Sequence, residues 1–148
     1  MDTLNAMFEE VFTVEDYWDG PRSGVANYHG KPHQYSCVFD EVKDDWTNIY
    51  FLKPMDEETL RLVLERWQIW LRWRAAFHEG KVSLDSHPTL PEDRAQYDEL
   101  DARLSDRLII DPEKDIKAEG LFKRSSLNDG EQECGTHETI WKVMWQTP

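Results

Sequence analysis

Apolar and polar residues alternate, or form short aromatic and β-branched runs, through the first third of the chain. These runs are FEEVFTV, VANY, HQYSCVF and NIYFL, and the Gly- and Pro-containing stretches DGPRSG and HGKP separate the first three. Aromatic and β-branched residues favour strands, whereas Gly and Pro favour turns. The pattern therefore predicts four strands in an antiparallel meander.

Between residues 56 and 79 the apolar positions recur at a helical period. Asp56 occupies the N-cap position, Glu57 and Glu58 fall in the first turn, and Gly80 follows the last turn. A broad apolar stripe consists of Leu60, Val63, Leu64, Trp67, Trp70, Leu71 and Phe77. A narrow line on nearly the opposite side consists of Leu62, Ile69, Trp73 and Ala76. The pattern predicts a long Trp-rich helix that must bury both sides.

A second helix is predicted from residue 89 to about residue 108. Thr89 and Glu92 fit a capping box, and Pro91 lies where its missing N–H costs nothing. Its thin apolar line is Tyr97, Leu100, Leu104 and Leu108. Packing this line over Leu62, Ile69 and Trp73 of the first helix would bury both. The alternative is that these three residues form an exposed partner site.

The last part of the chain contains two more alternating segments, AEGLFK and TIWKVMW, on either side of the polar stretch SSLNDGEQECGTH. Strands therefore come in two runs separated by helices, without βαβ alternation, which indicates the α+β class. We predict a single domain over residues 1–148. Its antiparallel sheet combines the N-terminal meander with the two C-terminal strands, and the long Trp-rich helix and the second, acidic helix cover it.

Charge narrows the choice of partner. The chain has 148 residues, with 30 acidic residues against 17 Lys and Arg, for a net charge of −13. Such a surface repels phosphate backbones and anionic lipid, so we expect no direct nucleic-acid binding and no membrane docking. It favours association with a basic protein surface. The candidate partner-binding residues are Glu9, Glu10, Glu15, Asp16, Asp19, Asp40, Glu41, Asp44, Asp45, Asp98, Glu99 and Asp101, with Trp73 as an apolar anchor.

No segment predicts membrane insertion or export. Apolar runs stay well short of the roughly 20 residues of a membrane helix, and the start MDTLNAMFEEVF lacks the features of a signal peptide. We expect a cytoplasmic protein, present as a monomer or a homodimer. Its two cysteines, Cys37 and Cys134, are expected to be reduced thiols.

The stretch DGPRSG predicts a loop in which Arg22, Ser23 and Gly24 could bind an anion or ligand. The simpler interpretation is that Arg22 pairs with a nearby carboxylate such as Asp19. A zinc site is disfavoured because His33 and Cys37 would lie about 13 Å apart along an extended strand. We predict no metal and no cofactor.

The sequence contains none of the common hydrolase, phosphate-binding, dinucleotide-binding or metalloprotease motifs, so no catalytic residue is predicted. The leading hypothesis is a non-enzymatic acidic protein that binds a basic protein as an inhibitor, an immunity protein or a nucleic-acid mimic. One alternative is a small-ligand-binding module or enzyme with an aromatic pocket between sheet and helix. The other is an accessory subunit of a larger complex.

Overall fold

The computed structural model describes residues 8–125 and 140–147. In these ranges the strands are β1 (Glu9–Tyr17), β2 (Pro21–Tyr28), β3 (Lys31–Asp40), β4 (Asp45–Pro54), β5 (Ile116–Ser125) and β6 (Ile140–Gln146). The α-helices are α1 (Glu57–His78) and α2 (Arg94–Leu104), and short 3₁₀ turns occupy Leu84–Ser86 and Pro91–Asp93. Each predicted strand and helix is therefore present, although several boundaries differ.

The strands form a closed barrel in the order β1-β2-β3-β4-β5-β6, with every neighbouring pair antiparallel. Closure comes from β1, which pairs with β2 on one side and with β6 on the other, where Glu9 lies opposite Val143. The predicted open sheet covered by helices is wrong. A barrel buries the inward side chains of its own strands against one another, so the sheet needs no helical cover.

The barrel core is strongly aromatic. Tyr35, Tyr50, Phe122 and Trp145 pack together with ring centroids 5.1–6.4 Å apart. The polar groups of these aromatic side chains donate to backbone oxygens: Tyr35 Oη donates to Thr13 O (2.9 Å) and Tyr50 Oη to Pro21 O (2.8 Å). The Trp145 indole donates to Asn27 O (2.9 Å). These bonds let large amphipathic side chains fill the interior without leaving a polar group unsatisfied.

The turn between β2 and β3 has two residues, His29 and Gly30, both with positive φ (55° and 77°). Tyr28 and Lys31 pair across it. Two positive φ values match the twist of the flanking strands, as in a type I′ hairpin. The break between strands that the sequence predicts at HGKP is therefore present, as a hairpin turn.

Helix α1 ends as its sequence predicts. Gly80 has φ 77°, its N–H donates to Phe77 O (3.0 Å), and the N–H of Lys81 donates to Ala76 O (2.9 Å). This pair of bonds is a Schellman motif, in which a left-handed glycine satisfies the last free carbonyls of the helix.

The narrow apolar line of α1 is buried: Leu62, Ile69 and Trp73 are 0%, 1% and 4% exposed. Leu100 and Leu104 of α2 are also buried, and the two helices pack together. Burial of this line is therefore confirmed. Most of the broad stripe is only partly buried, namely Leu60, Leu64, Trp67, Trp70, Leu71 and Phe77.

Backbone contacts divide the described chain into two compact units. The barrel unit contains all six strands, up to Asp56 and again from Ile110, and the helical unit spans Glu57–Ile109. The prediction of a single domain over residues 1–148 stays a prediction. Among the described residues, no helix combines the length and apolar character that crossing a membrane requires.

Candidate functional site

Two hairpin tips lie together at one end of the barrel. The β1–β2 connection and the β3–β4 connection fall at the same end because alternate connections of an antiparallel meander do so. We call residues 15–22 and 39–46 the tip surface. Its sequence segments are EDYWDGPR and FDEVKDDW.

Large apolar side chains are exposed on the tip surface. Val42 is 96% exposed, Trp18 71%, Tyr17 53% and Phe39 39%. Scattered apolar side chains are common on protein surfaces, but several on adjoining tips form a patch of the kind that marks interaction sites. Sequence reasoning missed this patch. The segment YWDGP could have predicted it, because two aromatic residues that directly precede a turn project from a hairpin tip.

The two segments that carry the exposed apolar residues are also rich in carboxylates. The tip surface carries seven, against the two cations Arg22 and Lys43: Glu15, Asp16, Asp19, Asp40, Glu41, Asp44 and Asp45. Glu15 aside, none of them forms an ion pair with a residue in the described part of the chain. The negative charge of the other six is therefore available to an external cation.

Some of these carboxylates also shape the tips. Asp40 Oδ1 accepts the backbone N–H groups of Val42 (2.9 Å) and Lys43 (3.1 Å), and Asp16 accepts the Ser23 hydroxyl (2.8 Å). An Asp side chain that bonds to the backbone two or three residues ahead stabilises a turn. Asp40 and Asp16 thus combine a structural role with a surface charge.

Arg22 joins the two tips. Its guanidinium donates to Trp18 O (2.7 Å) and Asp19 O (2.9 Å) in the first tip, and to Cys37 Sγ (3.6 Å) on β3. It also lies 5.1 Å from the ring centroid of Trp46 on β4, and Trp46 packs edge-on against Phe39. Arg22 therefore holds the first tip against the second.

Arg22, Ser23 and Gly24 do not form the predicted loop, because all three residues lie in strand β2, whereas the binding of an anion or ligand by them stays a prediction. The pattern suggested a loop because Gly, Pro and Ser dominate it, but tertiary packing imposes an extended conformation. Arg22 binds the main-chain oxygen of Asp19 instead of its carboxylate. Gly24 is buried against Thr13 and Tyr35.

The other predicted barrel acids lie at the opposite end. Glu9 accepts the backbone N–H groups of His29 (3.0 Å) and Gly30 (2.7 Å), so it anchors the β2–β3 turn. Glu10 is exposed next to it on β1. The structure therefore separates Glu9 and Glu10 from the tip surface, although they are close to its first segment in sequence.

The predicted acids of the helical unit are mostly paired. Asp101 binds Arg66 (2.7 Å) and Asp98 lies 3.7 Å from Arg94, whereas Glu99 is exposed. Ion pairing leaves Asp98 and Asp101 less charge for a partner than the carboxylates of the tip surface. Trp73, the predicted anchor, is buried and donates to Ser86 Oγ (2.7 Å). Its place as a candidate anchor is taken by Trp18.

Cys37 offers little reactivity. Burial raises the pKa of its thiol, and hydrogen bonding and the positive charge of Arg22 only partly offset this effect. A thiol that stays protonated is a poor nucleophile and metal ligand. No cluster of three metal-binding side chains occurs in residues 8–125 and 140–147. Cys134 lies outside the described residues.

An open apolar groove of about 430 Å³ lies along α1, where Leu60 and Leu64 are flanked by Glu57, Arg61, Glu65 and Gln68. The aromatic residues that could line a ligand pocket, among them Tyr35, Tyr50 and Trp145, instead pack on one another inside the barrel. The small-ligand hypothesis thus gains no site from them and stays a prediction, as does the accessory-subunit hypothesis.

The chain matches no known protein-family model, no curated protein and no solved structure. Its function must therefore be inferred from its own geometry, and the tip surface is its strongest candidate site.

Proposed function

We propose that this chain is a non-enzymatic acidic protein that binds the basic surface of a partner protein through the tip surface. By covering the basic surface, it inhibits the partner. The observation that carries the proposal is the exposure of Trp18 and Val42 on tips whose carboxylates, Glu15 aside, form no ion pair with another described residue.

The exposed apolar side chains and the carboxylates of the tip surface contribute to binding in different ways. An exposed Trp is the side chain most often found as an energetic anchor of a protein interface, because it buries a large area on association. A surrounding rim of one charge steers a partner of the opposite charge and rejects others. The combination supports a protein partner with a basic rim and an apolar centre.

The test is a pull-down from lysate of the source cell with three forms of the full chain. One is the natural sequence, and one is the tip variant Trp18→Ser/Glu41→Gln/Asp44→Asn. The third is a charge-matched control, Asp98→Asn/Glu99→Gln, in the helical unit. We expect the natural sequence and the control to retain the same basic protein in stoichiometric amount at low salt, and the tip variant to lose it. High salt should release it, because charge attraction between exposed groups is screened.

Purified partner then allows the affinity of each form to be measured by titration calorimetry. A partner retained equally by the tip variant and the natural sequence would contradict the proposed surface. A partner whose affinity does not change with salt would contradict the charge-based mechanism.

A further inference from the structure

We infer that the tip surface recognises arginine side chains of its partner in preference to lysine. This inference rests on the proposed function and deepens it, because it names the chemical group that the surface binds.

The barrel already contains two guanidinium–tryptophan pairs toward this end. Arg22 Cζ lies 5.1 Å from the ring centroid of Trp46, and Arg124 Cζ lies 5.3 Å from that of Trp141. The guanidinium of Arg22 also donates to two backbone oxygens while it contacts the ring. One planar cation thus satisfies a ring face and in-plane acceptors together.

Trp18 likewise combines an aromatic ring with acceptor groups close to it in sequence. Its side chain is 71% exposed, and no Lys or Arg in the described ranges lies over its ring. Asp16 and Asp19 flank it in sequence, and Tyr17 is also exposed. An arginine from a partner could contact the indole with its face and a carboxylate with its N–H groups.

Lysine cannot make this combination. Its ammonium group is a compact, strongly hydrated charge, whereas a guanidinium is planar, more weakly hydrated, and donates in a fork that matches a carboxylate. Stacking on an aromatic ring and bidentate pairing therefore act together only for arginine. The tip surface should distinguish two partners of equal charge by their arginine content.

The experiment uses two short peptides of equal length and charge, with arginine or lysine at every basic position, titrated into the full chain at low salt. We expect the arginine peptide to bind about tenfold more tightly, which corresponds to about 1.4 kcal/mol. Trp18→Leu should remove most of this preference and leave the lysine affinity nearly unchanged. Trp18→Tyr, which keeps an aromatic face, should restore part of it.

Trp67→Leu, at a partly buried position of α1, is the control variant and should keep the full preference. Far-UV circular dichroism checks that each variant is folded. Equal affinity for the two peptides, or no binding of the arginine peptide, would overturn the inference. An arginine preference that survives Trp18→Leu would also overturn it. The proposed function is judged separately, by whether the folded partner of the pull-down depends on the tip surface.

Discussion

At the scale of single residues, close packing determines the role of Gly24. A Cβ atom built on this residue would clash with the main-chain oxygen of Thr13 and would lie 2.7 Å from the hydroxyl of Tyr35. That hydroxyl donates to the same Thr13 oxygen. Gly24 therefore allows β2 to approach a buried hydrogen bond between β1 and β3, a structural role that does not require a ligand.

We predict that Gly24→Ala lowers the free energy of unfolding by about 1–3 kcal/mol, because the extra methyl group must displace backbone or Tyr35. Urea unfolding monitored by tryptophan fluorescence measures this loss. The matched control is Gly30→Asn, at a position with φ 77° and no heavy atom within 4 Å of a built Cβ. Asparagine tolerates positive φ, so the control should change stability by less than about 1 kcal/mol. Equal losses for both variants would contradict the steric explanation.

At the scale of elements, the two helices combine a small apolar core with a set of ion pairs. Leu104 is 0% exposed, whereas the ion pairs that join α1 to α2 or to the residues directly before and after α2 are partly exposed: Arg66–Asp101, Arg72–Asp93, Arg103–Glu58 and Arg107–Glu58. Exposed ion pairs contribute little because water screens the charges and long side chains lose entropy. Burial of apolar side chains should dominate the stability of this unit.

Accordingly, we predict that Leu104→Ala destabilises the helical unit by about 2–5 kcal/mol. Asp98→Ala on the same helix removes the 3.7 Å contact to Arg94 and should change stability by about 0.5 kcal/mol or less. Hydrogen exchange of the amides in residues 57–104 measures the stability of this unit directly. Similar exchange rates in the two variants would contradict the larger contribution of the buried Leu104 side chain.

At the scale of the whole molecule, the chain has a net charge of −13, and its acidic residues are not all paired with nearby cations. The helical unit pairs many of its acids with arginines, whereas the carboxylates of the tip surface, Glu15 aside, form no ion pair in the described ranges. Repulsion among unpaired like charges destabilises a compact state. Salt screens this repulsion over about 10 Å at 0.1 M.

We therefore predict that the urea midpoint of the full chain rises between about 20 mM and about 300 mM NaCl. The variant Glu41→Gln/Asp44→Asn should be more stable at low salt and should gain less from added salt. The variant Asp98→Asn/Asp101→Asn, which removes the same charge from paired acids, should not reduce the gain. A midpoint that falls with salt would indicate that the helical ion pairs outweigh the repulsion at the tip surface.

The candidate site was only partly predictable. The sequence identified the acids of residues 15–19 and 40–45 as candidates, since local charge density is visible in a linear chain. It did not distinguish them from Asp101, because the arginine that pairs with Asp101 is 35 residues away. It selected Trp73 over Trp18 as the anchor, because a helical pattern shows which residues share a face but not whether that face is covered.

The sequence by itself determined the local elements: the strand runs, the His29–Gly30 turn and the end of α1 at Gly80 follow from residue preferences and periodicity. Those signals act over a few residues, and they persist in any packing that buries the apolar faces. Only the tertiary structure decided that β1 meets β6, and that residues 21–24 extend β2 instead of forming a loop. Both depend on contacts between distant segments, whose energies are not contained in either segment alone.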